Sequence, residues 1–262
     1  MSALRVLILG GAGEAAELAR RLAGDDRFAP TLSLAGRTRA PILPPIPYRI
    51  GGFGGVDGLV RWLGAPRADL LVCATHPFAD QMRRHAALAV RRTGIPLLML
   101  ERPAWVPVKG DEWIAVDDMT AAAEALGETP RRVLLTIGQK DLAPFAGAPH
   151  HHYVIRSIEP PAADSRPPNV ELIAARGPFT EADERALLEA RRTEVLVTKN
   201  SGGAATEAKL TAARTLGLPV IMVERPPPPD LDGLDVEIAA DAGGALAWLE
   251  ARHGSASRRR GV

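Results

Sequence analysis

The sequence has a single cysteine, few aromatic residues, no excess charge of either sign and no long apolar run. Cys73 is the only cysteine among 262 residues, which excludes an intrachain disulfide and a zinc site built from several cysteines. Aromatic residues make up 4% of the chain, and 32 basic residues balance 31 acidic ones. Neither a base-stacking surface nor a global field therefore favours nucleic acid or an anionic membrane.

The apolar runs that are present are short. None approaches the roughly 18–20 residues that a membrane helix needs, and the opening run 4–9 is too short for a secretory signal and predicts a first strand. The run 70–74 surrounds Cys73, so we expect a buried core thiol. A cytoplasmic globular protein is the default expectation.

The most informative feature of the chain is an internal repeat, with an offset of about 125 residues. Four segments recur in the same order: 5–11 as 132–138, 69–73 as 194–198, 94–103 as 217–226, and 113–117 as 237–241. Continuous apolar runs alternate with helical patterns at 14–23, 78–92, 204–216 and 242–252, as expected for parallel strands that are covered on both faces. The sequence therefore predicts an α/β protein of two Rossmann-like, doubly wound parallel-sheet domains related by internal duplication.

A turn-forming cluster at 127–130 predicts the boundary between the halves. We expect an N-terminal cofactor-binding domain over 1–128, a C-terminal substrate-binding domain over 129–253 and a disordered tail over 254–262. Ligands of doubly wound sheets bind beyond the carboxyl ends of the strands, so we expect the substrate in the cleft between the two domains.

A glycine-rich turn after the first apolar run predicts a dinucleotide site. Residues 11–16 fit the pattern G-x-G-x-x-A, in which glycines permit a tight turn and close approach of a pyrophosphate. The helix that follows would offer free amides to the phosphates. The candidate cofactor-binding residues of this turn are Gly10, Gly11, Ala12, Gly13 and Glu14.

The end of the second predicted strand favours NADPH over NADH. NAD enzymes usually place a carboxylate there to hold the ribose 2′-hydroxyl, whereas this chain has Arg37, Thr38 and Arg39. Arg37 could pair with a 2′-phosphate through charge-assisted hydrogen bonds, and Thr38 could add a hydroxyl. The alternative is that these are ordinary solvated side chains.

The loop 74–78 follows the next apolar run and contains Thr75 and His76. Thr75 is a candidate cofactor contact. His76 precedes a proline that starts a helix and could orient the nicotinamide or the substrate, or donate a proton. An ordinary helix-start histidine is the alternative.

The equivalent loop of the second half, 198–203, combines small residues with one cation, which is typical of an anion or carboxylate pocket. Either Asn200 or Ser201 could cap the following helix. The candidate substrate-binding residues are Lys140, Arg156, Lys199, Asn200, Ser201, Gly202 and Gly203, and Lys199 is also a candidate catalytic residue. The alternative is a capped helix start with Lys199 in solvent.

Two kinds of site are not expected in the second half. Segment 136–142 lacks the glycine trio, so a second dinucleotide is not predicted. The consecutive histidines 150–152 would alternate faces on a strand and could not all ligate one ion, so no metal site is predicted.

The chain resembles the precorrin-6A reductases of cobalamin biosynthesis. The carrying motifs lie in order along nearly the whole sequence: GGAGEA at 10–15, AGRT at 35–38, GGFGG at 51–55, ATHPFA at 74–79, TIG at 136–138, ARGPF at 175–179, TKNSGG at 198–203, GLPV at 217–220 and ERP at 224–226. Ala12 departs from the threonine of many members, which removes a hydroxyl but leaves the backbone amides.

This resemblance implies that NADPH reduces one carbon–carbon double bond of the precorrin-6A macrocycle to give precorrin-6B, with hydride added at C19 and a proton at C18. It also implies that the two Rossmann-like domains exchange a strand. The proton could come from His76, Lys199 or bulk water, and the macrocycle could be metal-free or carry cobalt. Transfer of the tetrapyrrole to neighbouring enzymes of the pathway is a further expectation.

Two other functions fit parts of the sequence. One is an NADPH-dependent reductase of another acidic substrate, which the absence of an evident Tyr-Lys or His-Asp set disfavours. The other is a non-enzymatic bilobed ligand sensor, which would have no use for a 2′-phosphate clamp at Arg37.

Overall fold

The computed structural model describes residues 3–36, 43–64 and 67–260, with side chains as far as residue 255. The first half contains β1 (Leu4–Leu9), α1 (Gly13–Leu22), β2 (Phe28–Leu34), β3 (Tyr48–Ile50), α2 (Gly55–Leu63), β4 (Leu70–Cys73), α3 (Asp80–Thr93), β5 (Leu97–Leu100), β6 (Trp113–Val116) and α4 (Met119–Glu124). The second half contains β7 (Arg132–Leu135), β8 (His152–Ser157), β9 (Val170–Ala174), α5 (Glu181–Ala190), β10 (Val195–Lys199), α6 (Ala208–Leu216), β11 (Val220–Val223), β12 (Val236–Ala239) and α7 (Ala242–Arg260).

The described strands form two six-stranded sheets. The strand orders are β12-β5-β4-β1-β2-β3 and β6-β11-β10-β7-β8-β9, and the pairings are parallel. The repeat relates one order to the other strand by strand, which confirms the predicted fold class. Among the described strands, the exceptions are β6 and β12, the last strand of each half of the chain. Strand β6 of the first half pairs with β11 of the second, and β12 of the second half pairs with β5 of the first. The two halves have therefore exchanged these strands.

The strand exchange determines how the chain divides into compact units. The first unit contains the described residues up to Arg102 and those from Pro227 onward, and the second contains Pro103–Pro226. This division differs from a split at residue 128, since β6 and α4 precede that position and belong to the second unit. The expected disorder from residue 254 also differs from the structure, because α7 continues as a helix to Arg260.

The continuous apolar runs are explained by a first sheet that is buried on both faces. Val6 and Ile8 of β1 pack with α1 and α7, whereas Leu7 and Leu9 pack with α2 and α3. Cys73 lies in the second of these clusters, which confirms a core thiol, and burial raises its pKa. Burial of one leucine side chain contributes about 1.5–3 kcal/mol to the free energy of unfolding. These two layers hold the carboxyl ends of the strands in fixed positions.

The core of the second unit is arranged in the same way on one face of its sheet. Strand residues such as Leu134, Leu196 and Met222 pack with Leu188 of α5 and Leu210 of α6. Among the helices of the described residues, none combines the length and the apolar content that a bilayer crossing requires.

Candidate active-site residues

The turn between β1 and α1 is closely packed on its strand side and open at the start of the helix. The amide of Gly10 donates to the Ser33 carbonyl at 2.9 Å, and a Cβ on Gly10 would lie 2.9 Å from Leu32 Cδ1. Gly11 has a φ of +153°, which side chains rarely adopt. A Cβ on Gly13 would meet no described heavy atom within 4 Å. The backbone at the start of α1 is therefore accessible to a ligand.

The first turn of α1 is suited to an anion. Ala12 occupies the N-cap position without a side-chain cap, and the first amides of a helix lack partners within the helix and carry its positive dipole end. Glu14 lies in this turn, but its carboxylate pairs with Arg102 at 2.8 Å. Since its negative charge is offset and the glycine turn is open, these residues fit the pyrophosphate of a dinucleotide.

The loop after β4 forms one wall of this turn. A Cβ on Gly11 would lie 3.7 Å from the His76 amide nitrogen and 3.8 Å from Thr75 Cα, so the structure brings these predicted residues together. Thr75 Oγ1 lies 3.6 Å from Cys73 Sγ. The amide of Phe78 donates to His76 Nδ1 at 3.2 Å. The neutral His76 ring therefore carries its proton on Nε2.

Sequence reasoning missed the charged pair that holds this loop. Arg83 of α3 has a side chain that is only 5% exposed and pairs with Glu101 directly after β5. Its Nη1 donates to the Pro77 carbonyl at 3.0 Å. No sequence motif marks this pair, because Glu101 acquires its partner on α3 only in the folded chain.

The predicted 2′-phosphate residues Arg37 and Thr38 lie outside the described residues. Near this edge the structure shows Arg49 of β3, which sequence reasoning did not single out. Its Nη1 donates to Ser33 Oγ at 2.8 Å and to the Gly51 carbonyl at 2.9 Å. Arg49 therefore joins the end of β2 to the glycine-rich turn before α2.

In the second unit a protein carboxylate lies beside the glycine of the corresponding turn. Lys199 Nζ pairs with Asp141 Oδ2 at 2.6 Å, and a Cβ on Gly138 would lie 2.7 Å from the same oxygen. The chain after β7 forms the short 3₁₀ helices Gln139–Asp141 and Ala143–Gly147 instead of an α-helix. This turn therefore lacks both the free volume and the helix dipole of its counterpart. Lys140 is adjacent and exposed.

The other small polar residues of the Lys199 loop hold the backbone of their own unit. Asn200 is buried; its Oδ1 accepts from the Trp105 amide at 2.8 Å and its Nδ2 donates to the Trp105 carbonyl at 3.1 Å. Gly202 has a φ of +69°, and a Cβ there would lie 2.0 Å from the Pro103 carbonyl oxygen. Gly203 also has a positive φ, of +80°.

The expectation that Asn200 or Ser201 caps the next helix is wrong. Helix α6 begins at Ala208 and has no side-chain cap, because a single 3₁₀ turn intervenes after Gly203. The Ser201 amide instead donates to the Lys199 carbonyl at 2.7 Å.

Arg156, another predicted substrate residue, is buried in an ion pair. Its Nη1 pairs with Glu184 Oε2 at 2.8 Å, with both side chains buried, and its guanidinium lies over the Phe179 ring at 4.0 Å. These contacts support a structural role for Arg156 in the wall of the second unit.

The consecutive histidines lie at the opposite, amino-terminal edge of the second sheet. His151 is fully buried, and its Nδ1 accepts from the Arg131 amide at 3.2 Å. Burial, together with the neighbouring His150, lowers the pKa of His151. Among the residues with described positions, no group of three or more His, Cys, Asp or Glu is arranged to hold a metal ion.

Comparison with known proteins extends this description. Residues 5–250 match the sequence profile of the family described as Precorrin-6x reductase CbiJ/CobK. A precorrin-6A reductase from Sinorhizobium sp is 53% identical over 227 residues, which cover 87% of each chain. One from Rhodobacter capsulatus is 46% identical and covers 97% of this chain and 98% of its own. A solved structure described as CobK precorrin-6A reductase aligns with a TM-score of 0.87 at 45% identity, over 96% of this chain and 97% of that one.

Proposed function

This chain belongs to the precorrin-6x reductase family and reduces precorrin-6A, and we propose that NADPH, bound by the first unit, is its reductant. The glycine turn between β1 and α1 supports this proposal, since its helix start is open and uncapped. Family membership sets aside both alternative functions, the sensor and the reductase of another substrate. Relatives that are 45–53% identical are named precorrin-6A reductase, whereas cobalt-precorrin-6A reductases are 27–34% identical, so we take the metal-free macrocycle as the substrate.

We assign the cofactor to residues of the first unit. The backbone from Gly10 to Glu14 holds the pyrophosphate, and Arg102 offsets the Glu14 carboxylate at 2.8 Å. Thr75 and the His76 backbone face this turn, and Arg37 and Thr38 bind the 2′-phosphate. Bound NADPH supplies the hydride that the reduction requires.

The remaining task of the protein is to hold the macrocycle and deliver one proton. We propose that the imidazolium form of His76 donates this proton and becomes the neutral ring, whose Nδ1 accepts from the Phe78 amide. We propose that Lys199 and Lys140 bind carboxylates of the macrocycle. Asp141 holds the Lys199 ammonium in a fixed position by their 2.6 Å contact, which lowers the entropy lost on binding.

The cofactor proposal is tested by fluorescence titration of the wild type and Arg37→Ala with NADPH and with NADH. We expect Arg37→Ala to weaken NADPH binding by roughly 1.5–3 kcal/mol, the value of a charged hydrogen bond. This corresponds to an increase in Kd of about ten- to a hundredfold. NADH binding should change little. Arg67→Ala, at an exposed arginine before β4, is the matched control. Equal losses of affinity for NADPH and NADH would show that Arg37 does not bind the 2′-phosphate.

Cytoplasmic location, the lack of nucleic-acid partners and transfer of the product to neighbouring pathway enzymes stay predictions. Transfer would be visible as a complex with those enzymes in cross-linking or co-purification.

A further inference from the structure

We propose that Arg83 is a positioning residue that holds the Thr75–His76 loop against the nicotinamide half of the cofactor. The proposal rests on the function proposed above, because it needs a dinucleotide at the β1–α1 turn. In this assignment Arg83 acts through the loop and does not contact the cofactor.

Arg83 contacts the Pro77 carbonyl and the Glu101 carboxylate, and we call these three groups the Arg83 clamp. Its side chain is 5% exposed, and burying a guanidinium is costly unless its hydrogen bonds are satisfied. One arm donates to the Pro77 carbonyl at 3.0 Å, and the other pairs with the Glu101 carboxylate. The planar, rigid fork of arginine can span two such partners, which the single point charge of lysine cannot do equally well.

Two further contacts connect this clamp to the glycine turn. Glu101 is followed directly by Arg102, which pairs with Glu14 in the first turn of α1. The loop that Arg83 anchors lies 3.7 Å from the position of a Cβ on Gly11. Adjacent residues at the end of β5 therefore bind Arg83, which contacts the loop, and Glu14 at the helix start, so the two walls of the turn share one support.

The strand order indicates which half of the cofactor this loop meets. Strand β1 lies between β2 and β4. A dinucleotide that crosses the end of β1 places its adenosine ribose at the end of β2, which puts the nicotinamide on the side of β4 and its loop. Loosening the loop should therefore weaken contacts of the nicotinamide half and spare the adenosine half.

The experiment compares two probes on the purified full-length protein, NADPH and 2′,5′-ADP, which carries only the phosphorylated adenosine half. We expect Arg83→Met to weaken NADPH binding by about tenfold or more, as for a lost charge-assisted hydrogen bond, and to leave 2′,5′-ADP affinity within about twofold. Arg83→Lys should recover part of the loss. Arg84→Met is the matched control, since Arg84 is the exposed neighbour of Arg83 and pairs with Asp80 one turn earlier on the same helix, and it should change neither affinity.

Arg83→Met leaves the Glu101 carboxylate without this partner, so the double variant Arg83→Met/Glu101→Gln removes that charge and is measured beside it, with thermal unfolding of each. Parallel losses of NADPH and 2′,5′-ADP affinity would overturn the proposal in favour of a general structural role, as would unchanged NADPH affinity. If the wild type binds 2′,5′-ADP but not NADPH, the proposal for Arg83 is also wrong, although the site for the adenosine half remains supported. A wild type that binds neither probe would refute the proposed cofactor itself.

Discussion

Replacing Gly13 by alanine separates the folding role of the glycine turn from its binding role. A Cβ on Gly13 would meet no described heavy atom within 4 Å, and its φ lies outside the left-handed range, so the substitution carries no packing or backbone cost. Alanine favours helix over glycine by up to about 1 kcal/mol. Without ligand, the Gly13→Ala protein should therefore unfold at the same temperature as the wild type or about 2–4 °C higher.

The same methyl group would occupy the space through which a pyrophosphate reaches the backbone of α1. We expect NADPH affinity to fall by at least tenfold. At an NADPH concentration of one hundred times the wild-type Kd, ligand binding stabilises the wild type by about 2.7 kcal/mol, and a tenfold weaker Kd reduces this to about 1.4 kcal/mol.

Thermal unfolding with and without NADPH measures both effects in one series. Gly254→Ala is the matched control, because Gly254 also lies in a helix, α7, where an added Cβ would meet no described heavy atom within 4 Å, and the substitution should leave the NADPH-induced stabilisation intact. Full NADPH-induced stabilisation of Gly13→Ala would refute the assignment of the pyrophosphate to this turn. A large loss of stability without ligand would refute the claim that the helix start is open.

Two other predictions concern the second unit. Lys199→Ala should raise the KM for the precorrin and leave the NADPH Kd unchanged, with exposed Lys109→Ala as the control; loss of NADPH binding instead would assign the Lys199 loop to the cofactor. The pKa of His151 lies below its ordinary value of 6.5 because the ring is buried. As the pH falls, His151 therefore takes up a proton in the unfolded chain before it does so in the folded chain. The contribution of His151 to the free energy of unfolding is complete above pH 6.5 and is lost as the pH falls below that value. Urea unfolding at pH 7.5 and 5.5 should show a smaller pH dependence in His151→Phe than in the wild type, and an equal dependence in both would contradict the buried, neutral ring.

The fold followed from the sequence because four strands of the first sheet have a recognisable copy in the second. The apolar runs around Val6 and Val133 are both continuous, since both sheets bury two faces. The repeat also matched 113–117 with 237–241, the segments that became β6 and β12. It could not assign them to a sheet, because two similar edge strands can pair with either β5 or β11. The structure shows the exchanged arrangement.

The candidate site was less predictable because the availability of a charge depends on partners that are distant in sequence. Arg83 and Glu101 are 18 residues apart, Arg156 and Glu184 are 28 apart, and Lys199 and Asp141 are 58 apart. The composition gives the number of cations but does not show which of them form ion pairs in the folded chain. Arg156 therefore seemed as available to a carboxylate as Lys140, whereas the first is buried against Glu184 and the second is exposed.

The turns after β1 and β7 differ in their suitability for an anion. In the first half the strand ends at glycines followed by an uncapped α-helix, and the nearby acid Glu14 is held by Arg102. In the second half the helix is replaced by 3₁₀ turns, and the Asp141 carboxylate packs on Gly138 with Lys199 as its partner. A carboxylate of the protein thus occupies the space next to the glycine, where an incoming phosphate would be repelled. In the proposed function, the same Asp141 carboxylate holds the Lys199 ammonium in place for a carboxylate of the macrocycle.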